Sequence, residues 1–387
     1  MKIAVDMLPV QEDGSNGGAT AVAIELIKGF AAAPGVRVLV LCADRNIKFL
    51  KKMLPGNIQF WRVEKNRFFT EIGRITGILK RITGKGNTDG ILKKNRADIL
   101  FCPFSAPTFK EKGIPTVSTI HDIQHEFYPQ FFELKELEHR RRFYRDIVKN
   151  VEQVACISDY TRETFCEKYS YPPDRAQTIY NAVQNRFDKE DTSVLTRFDL
   201  HDRAYILYPA NFWEHKNHKL LLNAFATYAL GHKNLKLVLT GNVLSQDDYY
   251  ENLLKALKIE ERTVITGFLT NEEMCCIFKN AKGVIFPSLF EGFGIPIVEA
   301  MRFNKLIASS NLTCLPEIGC ESVFYFDPRK PDDILRGIYF LADNEVTEAV
   351  KADYAEKLKN YRTDKMIGEY LRLFEKVIAD NDIREFV

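Results

Sequence analysis

Eight cysteines are scattered through 387 residues without one C-x-x-C pair. Cys42, Cys102, Cys156, Cys166, Cys275, Cys276, Cys314 and Cys320 sit mostly in apolar runs, which reads as buried free thiols in a reducing cytosol. His/Cys spacing suited to zinc is missing as well, so no metal site is expected. No uninterrupted apolar run approaches the about 18–20 residues of a transmembrane helix. Met1-Lys-Ile-Ala-Val runs directly into a strand-like segment with no charged leader followed by an apolar stretch, so no signal peptide is indicated and a cytoplasmic location is expected. Excess charge of one sign is absent too. A formal net charge of +2 argues against a general nucleic-acid binder. The first strand-like run is not followed by G-x-G-x-x-G, which disfavours a nicotinamide or flavin enzyme. There is no Walker lysine loop and no convincing D-x-D to hold a divalent ion.

What is present is a chain with 45% hydrophobic residues, enough for two full-sized cores. Strand-like runs alternate with helical patterns throughout. Strands are predicted over Lys2–Val5, Arg37–Cys42, Asp98–Phe101, Thr116–Ile120, Val154–Ser158 and Gln177–Tyr180. A second series covers Ala204–Tyr208, Lys236–Thr240, Val264–Gly267, Gly283–Phe286, Lys305–Ala308 and Val323–Phe326. Such alternation implies parallel sheets covered by helices on both faces. Two series imply two doubly wound, Rossmann-like α/β domains facing a cleft, with ligands beyond the carboxyl ends of the strands. The boundary is placed in the polar stretch Gln184–Asp202, dividing the chain into 1–185, 186–362 and a final helix in 363–387 that packs back on the first domain.

The richest stretch is Phe286-Pro-Ser-Leu-Phe-Glu291-Gly-Phe-Gly-Ile-Pro-Ile-Val-Glu299-Ala-Met301. It reads as a buried strand, a glycine-punctuated turn and a helix start. Gly292 and Gly294 let a ligand approach the main chain. Pro296 suits a first helical position, and the helix behind it aims unpaired N–H groups at the turn, which favours a phosphate. Glu291 and Glu299 are acceptors for hydroxyl groups and are expected to line the interdomain gap without partners of their own. A phosphate grip between two such carboxylates describes a nucleotide-sugar site. A second constellation is Tyr208-Pro-Ala-Asn211-Phe-Trp-Glu-His215-Lys216-Asn217-His218, where Lys216 can neutralise a departing diphosphate. His121 ends the run Thr116–Ile120 and is expected at the cleft, with Asp122 capping the next turn. Gly17-Gly18 opens a helix and leaves room for a donor phosphate or an acceptor.

The Glu291–Glu299 block resembles the donor-site signature of the retaining GT-B glycosyltransferases of family four, Glu-x7-Glu in the setting P-S-x-x-E-G-F-G-x-P-x-x-E-A. Further similarity lies in Val264-Ile-Thr-Gly267-Phe-Leu-Thr, Ile277-Phe-Lys-Asn-Ala281, Ala308-Ser-Ser, Leu315-Pro-Glu317 and Phe326-Asp-Pro328. The first half is similar at Gly17-Gly18, Ile120-His121-Asp122, Ile157-Ser158 and Ile179-Tyr-Asn181-Ala. The resemblance implies that Glu291 bonds the donor sugar, Glu299 the nucleotide ribose, and the N–H groups of Phe293 and Gly294 the sugar or diphosphate. It places Gly267 and Phe268 on the donor side and His121 beside the sugar. In the family an arginine usually stands where this chain has Asn211, so Lys219, His215 or a helix terminus would have to supply the second positive charge. The implied activity is metal-independent, retaining transfer of a mannose-, glucose- or rhamnose-type hexose from a nucleoside-diphosphate sugar. The implied acceptor is a glycan or a lipid-linked glycan in bacterial surface polysaccharide synthesis. No cofactor beyond the donor is implied.

The stretch Arg62–Arg96 is rich in Lys and Arg with interleaved apolar residues. It reads either as a solvated helix pair or as a basic amphipathic surface resting on an anionic membrane, a peripheral attachment to the inner face. Competing readings of the whole chain are an epimerase-like enzyme or sugar phosphorylase, a non-catalytic nucleotide-sugar or glycan binder, and a membrane-bound scaffold.

Overall fold

Short aliphatic runs form strands buried on both faces, as a parallel sheet between helix layers requires. Every residue of Ile99–Cys102 and Thr116–Ile120 is buried. The computed structural model describes residues 1–12, 18–63, 90–105, 107–108, 110–183, 186–202, 204–232, 234–243 and 248–386. Gly17 and most of the basic stretch, residues 64–89, lie outside the described residues.

Thirteen strands are described: β1 Lys2–Asp6, β2 Arg37–Cys42, β3 Gln59–Arg62, β4 Ile99–Cys102, β5 Thr116–Ile120, β6 Gln153–Cys156, β7 Ala176–Thr178, β8 Tyr205–Pro209, β9 Lys236–Thr240, β10 Thr263–Ile265, β11 Gly283–Phe286, β12 Leu306–Ser310 and β13 Phe324–Phe326. They build one seven-stranded sheet ordered β3-β2-β1-β4-β5-β6-β7 and one six-stranded sheet ordered β10-β9-β8-β11-β12-β13. All pairings are parallel, with Ile3 opposite Val38 in the first sheet and Val284 opposite Ile307 in the second. The winding direction reverses between β1 and β4 and again between β8 and β11. Each reversal opens a crevice at the carboxyl edge where two successive loops diverge. β3 is the strand that the apolar pattern alone does not announce, because Gln59-Phe-Trp-Arg62 is a short edge strand with polar ends.

The chain crosses between the sheets twice. The outward crossing runs from β7 to β8 and includes the short helix Ser193–Arg197, whose Val194 is buried. The return comes after the Glu348–Leu358 helix, through Tyr361, into the terminal helix Thr363–Phe386. The two crossings are bonded to each other by Val183 N–H donating to Tyr361 O at 3.0 Å. Met366, Tyr370, Leu373, Phe374 and Val377 of the terminal helix join the first core with Ile3, Val5, Phe30 and Phe101. Phe374 packs 5.5 Å from Phe30 and 5.3 Å from Phe101, centroid to centroid.

The cysteines are all free thiols, six of them buried. Among the described residues, no helix is long and apolar enough to cross a membrane. Two ends of the basic stretch are visible. Arg62 pairs with Asp44, and Lys93 and Lys94 close the short helix Ile91–Lys94, whose Ile91 and Leu92 are buried.

Candidate active site

Lys216 follows β8 and Glu291 follows β11, so the two arise on adjacent strands at the reversal of the second sheet. Local chemistry fixes each loop. Asn217 adopts a left-handed conformation with φ 63°, which Asn tolerates better than most residues. Its Nδ2 donates to Pro287 O at 3.1 Å and Pro328 O at 2.8 Å. Tyr208 OH donates to Lys216 O at 2.7 Å and lies 3.1 Å from Ser288 Oγ. Leu289 N–H donates to His215 O at 2.7 Å. The two loops therefore form one unit.

Within it, Lys216 Nζ donates to Glu291 Oε1 at 2.5 Å, and the side chains are only 18% and 11% exposed. Glu291 N–H is held by Thr313 Oγ1 at 3.3 Å. Gly294 has φ 95° and caps the Ile295–Arg302 helix, with Pro296 in its first turn. Glu299, one turn into that helix, is 1% exposed. Arg186 Nε and Nη2 both donate to Glu299 Oε1, at 2.8 and 2.6 Å. Burial pushes the Glu299 carboxyl above the usual carboxylate range, and the Arg186 guanidinium pulls it back. The two acids thus depart from the expected picture of unpartnered carboxylates in an open gap. Each holds a cation, because a carboxylate this deeply buried is costly without one.

The first domain meets this unit at Gly292. A Cβ placed there would lie 1.9 Å from His121 O, so the main chains of the two domains are in direct contact. Gly292 O also accepts from Ser158 Oγ at 2.8 Å. The glycine read as room for a ligand is here required by the domain contact. His121 Nε2 lies 2.7 Å from Pro103 O, which can only accept, so Nε2 carries the proton. Burial lowers the imidazole below its ordinary value, against the pull of that carbonyl. Asp122 Oδ1 accepts from Gln124 N at 2.9 Å, the turn cap expected of it. Gly18 sits 3.2 Å, measured from an added Cβ, from Ile295 Cδ1, so this turn faces the helix start.

Three further positions behave differently from the simplest expectation. Asn211 is an acceptor, its Oδ1 taking Asn242 N–H at 2.9 Å beside the tight turn at Gly241. His215 is lowered to about 4 by burial and then by Lys216, so at neutral pH it adds no charge. Lys219 is paired with Glu214 at 3.2 Å. None of the three supplies a second free cation. Phe293 is buried, its ring meeting that of Tyr361 edge-on at 5.5 Å and leaving only its main chain for a ligand. Gly267, with φ 70°, and Phe268, 76% exposed, lie on the loop after β10 at the same sheet edge. Among the described residues, no group of three or more His, Cys, Asp or Glu could hold a metal ion.

His218 gives this unit an acid sensitivity. It stacks 4.0 Å from Phe212, and burial, followed by Lys216, lowers its imidazole to about 3. The unfolded chain takes up that proton first, so stability falls as pH drops from about 6.5 towards 3. At pH 5 the loss from this one group is about 2 kcal/mol relative to pH 7.5. His218→Phe should shrink the difference between urea unfolding free energies at the two pH values by that amount. An unchanged difference would place the acid sensitivity elsewhere.

The model of Glycosyltransferase Family 4 matches residues 16–186, and that of Glycosyl transferases group 1 matches residues 197–363. The chain belongs to the family 4, group 1 glycosyltransferases. This glycosyltransferase is 26% identical over 223 residues to the O-antigen chain mannosyltransferase B of Escherichia coli, covering 56% of this chain and 58% of that protein. It is 30% identical over 210 residues to the serotype-specific mannosyltransferase WbdA of Escherichia coli, covering 51% of this chain and 25% of that protein. The matches thus span about half or less of those curated relatives. In structure it is similar to Anabaena Alr3699/HepE, solved with UDP and glucose (TM-score 0.72, 16% identity, 97% of this chain and 100% of that one). It is likewise similar to the sucrose-phosphate synthase of Thermosynechococcus elongatus (TM-score 0.73, 16% identity, 98% and 100%). The fold of this glycosyltransferase is GT-B, two Rossmann-like domains in one chain. Two residues escaped sequence reasoning. Arg186 lies in a polar linker with no motif to mark it. Glu317 was visible only as part of Leu315-Pro-Glu317, with no partner to suggest its role.

Proposed function

We propose that this chain transfers a hexose from a nucleoside-diphosphate sugar to a hydroxyl of a glycan or lipid-linked acceptor, with retention and without a metal ion. The observation that carries the reading is the Lys216–Glu291 pair at the β8–β11 reversal, directly before the Gly294-capped helix. A diphosphate arriving there meets the helix terminus and Lys216, and the pair opens around it. Lys216 then turns from Glu291 toward the leaving phosphate, and Glu291 accepts from the sugar hydroxyls. Stabilisation of the departing charge is the main catalytic contribution. Glu299 takes the ribose hydroxyls, sharing its carboxylate with Arg186. Phe293 and Gly294 offer main-chain N–H groups, and Gly267 and Phe268 extend the donor site along the sheet edge. His121, neutral and pinned by Pro103, lies beside the sugar on the acceptor side together with Gly18. The leaving phosphate takes the acceptor proton. A mannosyl donor and a surface polysaccharide acceptor are supported by the O-antigen chain mannosyltransferase and the serotype-specific mannosyltransferase among the relatives.

Asn211 favours a second reading, a donor-binding protein without turnover, since it stands in place of a cation and is engaged in a turn. A thermal-shift panel of GDP, UDP, dTDP and their hexose conjugates tests the first half of the proposal. A ligand at a hundred times its dissociation constant should stabilise the chain by about 2.7 kcal/mol. Release of the diphosphate from the best-bound conjugate, undiminished by chelator, tests the second. No stabilisation by any nucleotide would remove the donor site. Binding without release would favour the second reading.

A further inference from the structure

The two domains are joined by more than their linker. Glu317, in the short helix Leu315–Ile318 of the second domain, reaches the N-terminus of the first-domain helix Asp159–Tyr169. Its Oε1 accepts Asp159 N–H at 2.6 Å and its Oε2 accepts Tyr160 N–H at 2.9 Å. Helix starts leave such N–H groups unpaired and carry partial positive charge, so a carboxylate there makes two charge-assisted bonds. The same helix is capped by Ser158, whose Oγ accepts from Thr161 N at 3.1 Å. That Oγ also donates across the domain boundary to Gly292 O at 2.8 Å. Thr161 Oγ1 adds a weaker bond to Gly292 O at 3.3 Å. Nearby, Phe290 of the second domain is buried against Phe127, Tyr128 and Tyr160 of the first, at 5.4, 6.1 and 6.0 Å.

The Ser158, Thr161 and Phe290 contacts bear on the turn that carries Glu291, and Glu317 holds the start of the same helix that Ser158 caps. We propose that Glu317 is a positioning residue: by docking on the Asp159 helix it seats the Glu291-Gly292 turn against His121 and so sets donor and acceptor sides in register. The inference rests on the proposed transfer reaction. The donor site itself lies within the second domain, apart from Arg186 of the linker, so Glu317 governs turnover rather than nucleotide binding. A 1 Å displacement of reacting groups costs about a hundredfold in rate, so a partly loosened seat is felt in kcat.

The test uses the full chain carrying Glu317→Ala or Glu317→Gln. Hydrogen exchange of the Asp159 and Tyr160 amides should rise at least about tenfold in Glu317→Ala. GDP release from GDP-mannose should fall about tenfold or more in kcat, with the dissociation constant of GDP within about twofold of wild type. Glu317→Gln, which keeps one acceptor oxygen, should fall between the two, and it alone carries the test if the alanine variant does not fold. A residue that served stability only would lower the melting temperature without separating turnover from GDP affinity. Wild-type kcat in both variants, unchanged exchange at the two amides, or parallel loss of GDP binding would overturn the inference. A wild-type chain that binds no nucleotide would instead overturn the reading of the reaction.

Discussion

Replacing Lys216 by alanine should lower donor turnover by about two orders of magnitude, equivalent to about 2.7 kcal/mol of lost transition-state stabilisation. The main chain at His215 and Lys216 is locked between two loops before any substrate arrives, so the ammonium has only to turn from Glu291 to meet the phosphate. That preorganisation is what makes a point charge effective against a leaving diphosphate. Of the substitutes the sequence offered, only the helix terminus remains, because the nearby side chains are engaged or uncharged. His215 is neutral at working pH, Lys219 is occupied by Glu214, and Asn211 is an acceptor in a turn. Lys216→Arg should not restore the rate, because a wider planar head does not fit a half-buried slot against Glu291 and the Phe286 ring. Steady-state release of the nucleoside diphosphate measures the effect. A kcat within tenfold of wild type would remove Lys216 from the chemistry.

Gly292→Ala should be nearly as damaging for a different reason. The added carbon would lie 1.9 Å from His121 O and 3.0 Å from His121 C, both main-chain atoms of the other domain. No flexible side-chain end is available to swing aside, so the domains themselves must separate. A separation of about 1 Å between reacting groups is enough for a hundredfold loss. Nucleotide affinity should change little, since Lys216, Glu299 and the Gly294 helix terminus are untouched. Gly56→Ala, where nothing lies within 4 Å of an added carbon, is the matched control. Turnover of Gly292→Ala within twofold of that control would show that the domain contact is not maintained during reaction.

Most of the architecture was legible because parallel strands are unbroken apolar runs. Arg37–Cys42, Thr116–Ile120, Lys236–Thr240 and Gly283–Phe286 appear in the fold with the limits the pattern suggests. The short edge strand Gln59–Arg62 and the helices Ile47–Met53, Gln124–Phe127 and Glu348–Leu358 were not, since brief or mostly exposed elements carry little periodicity. The candidate site was legible in its parts. Glu291, Glu299, Gly294 and Lys216 stand at strand ends and a helix start, where glycine and proline punctuate the chain. Their pairing was not. That Lys216 meets Glu291, that Arg186 meets Glu299 and that Gly292 abuts His121 all depend on segments 75, 113 and about 170 positions apart. Such contacts follow from how two sheets are set against each other, which no local pattern encodes.

The terminal helix has a consequence for anyone recombining enzymes of this type. Because Phe374 and Tyr370 complete the core around Phe30 and Phe101, the first domain is assembled from both ends of the polypeptide. A chimaera that exchanges second domains must therefore be spliced at two junctions, one on each crossing. A graft made at the linker alone would swap the stopper of the host's own first domain for a foreign one.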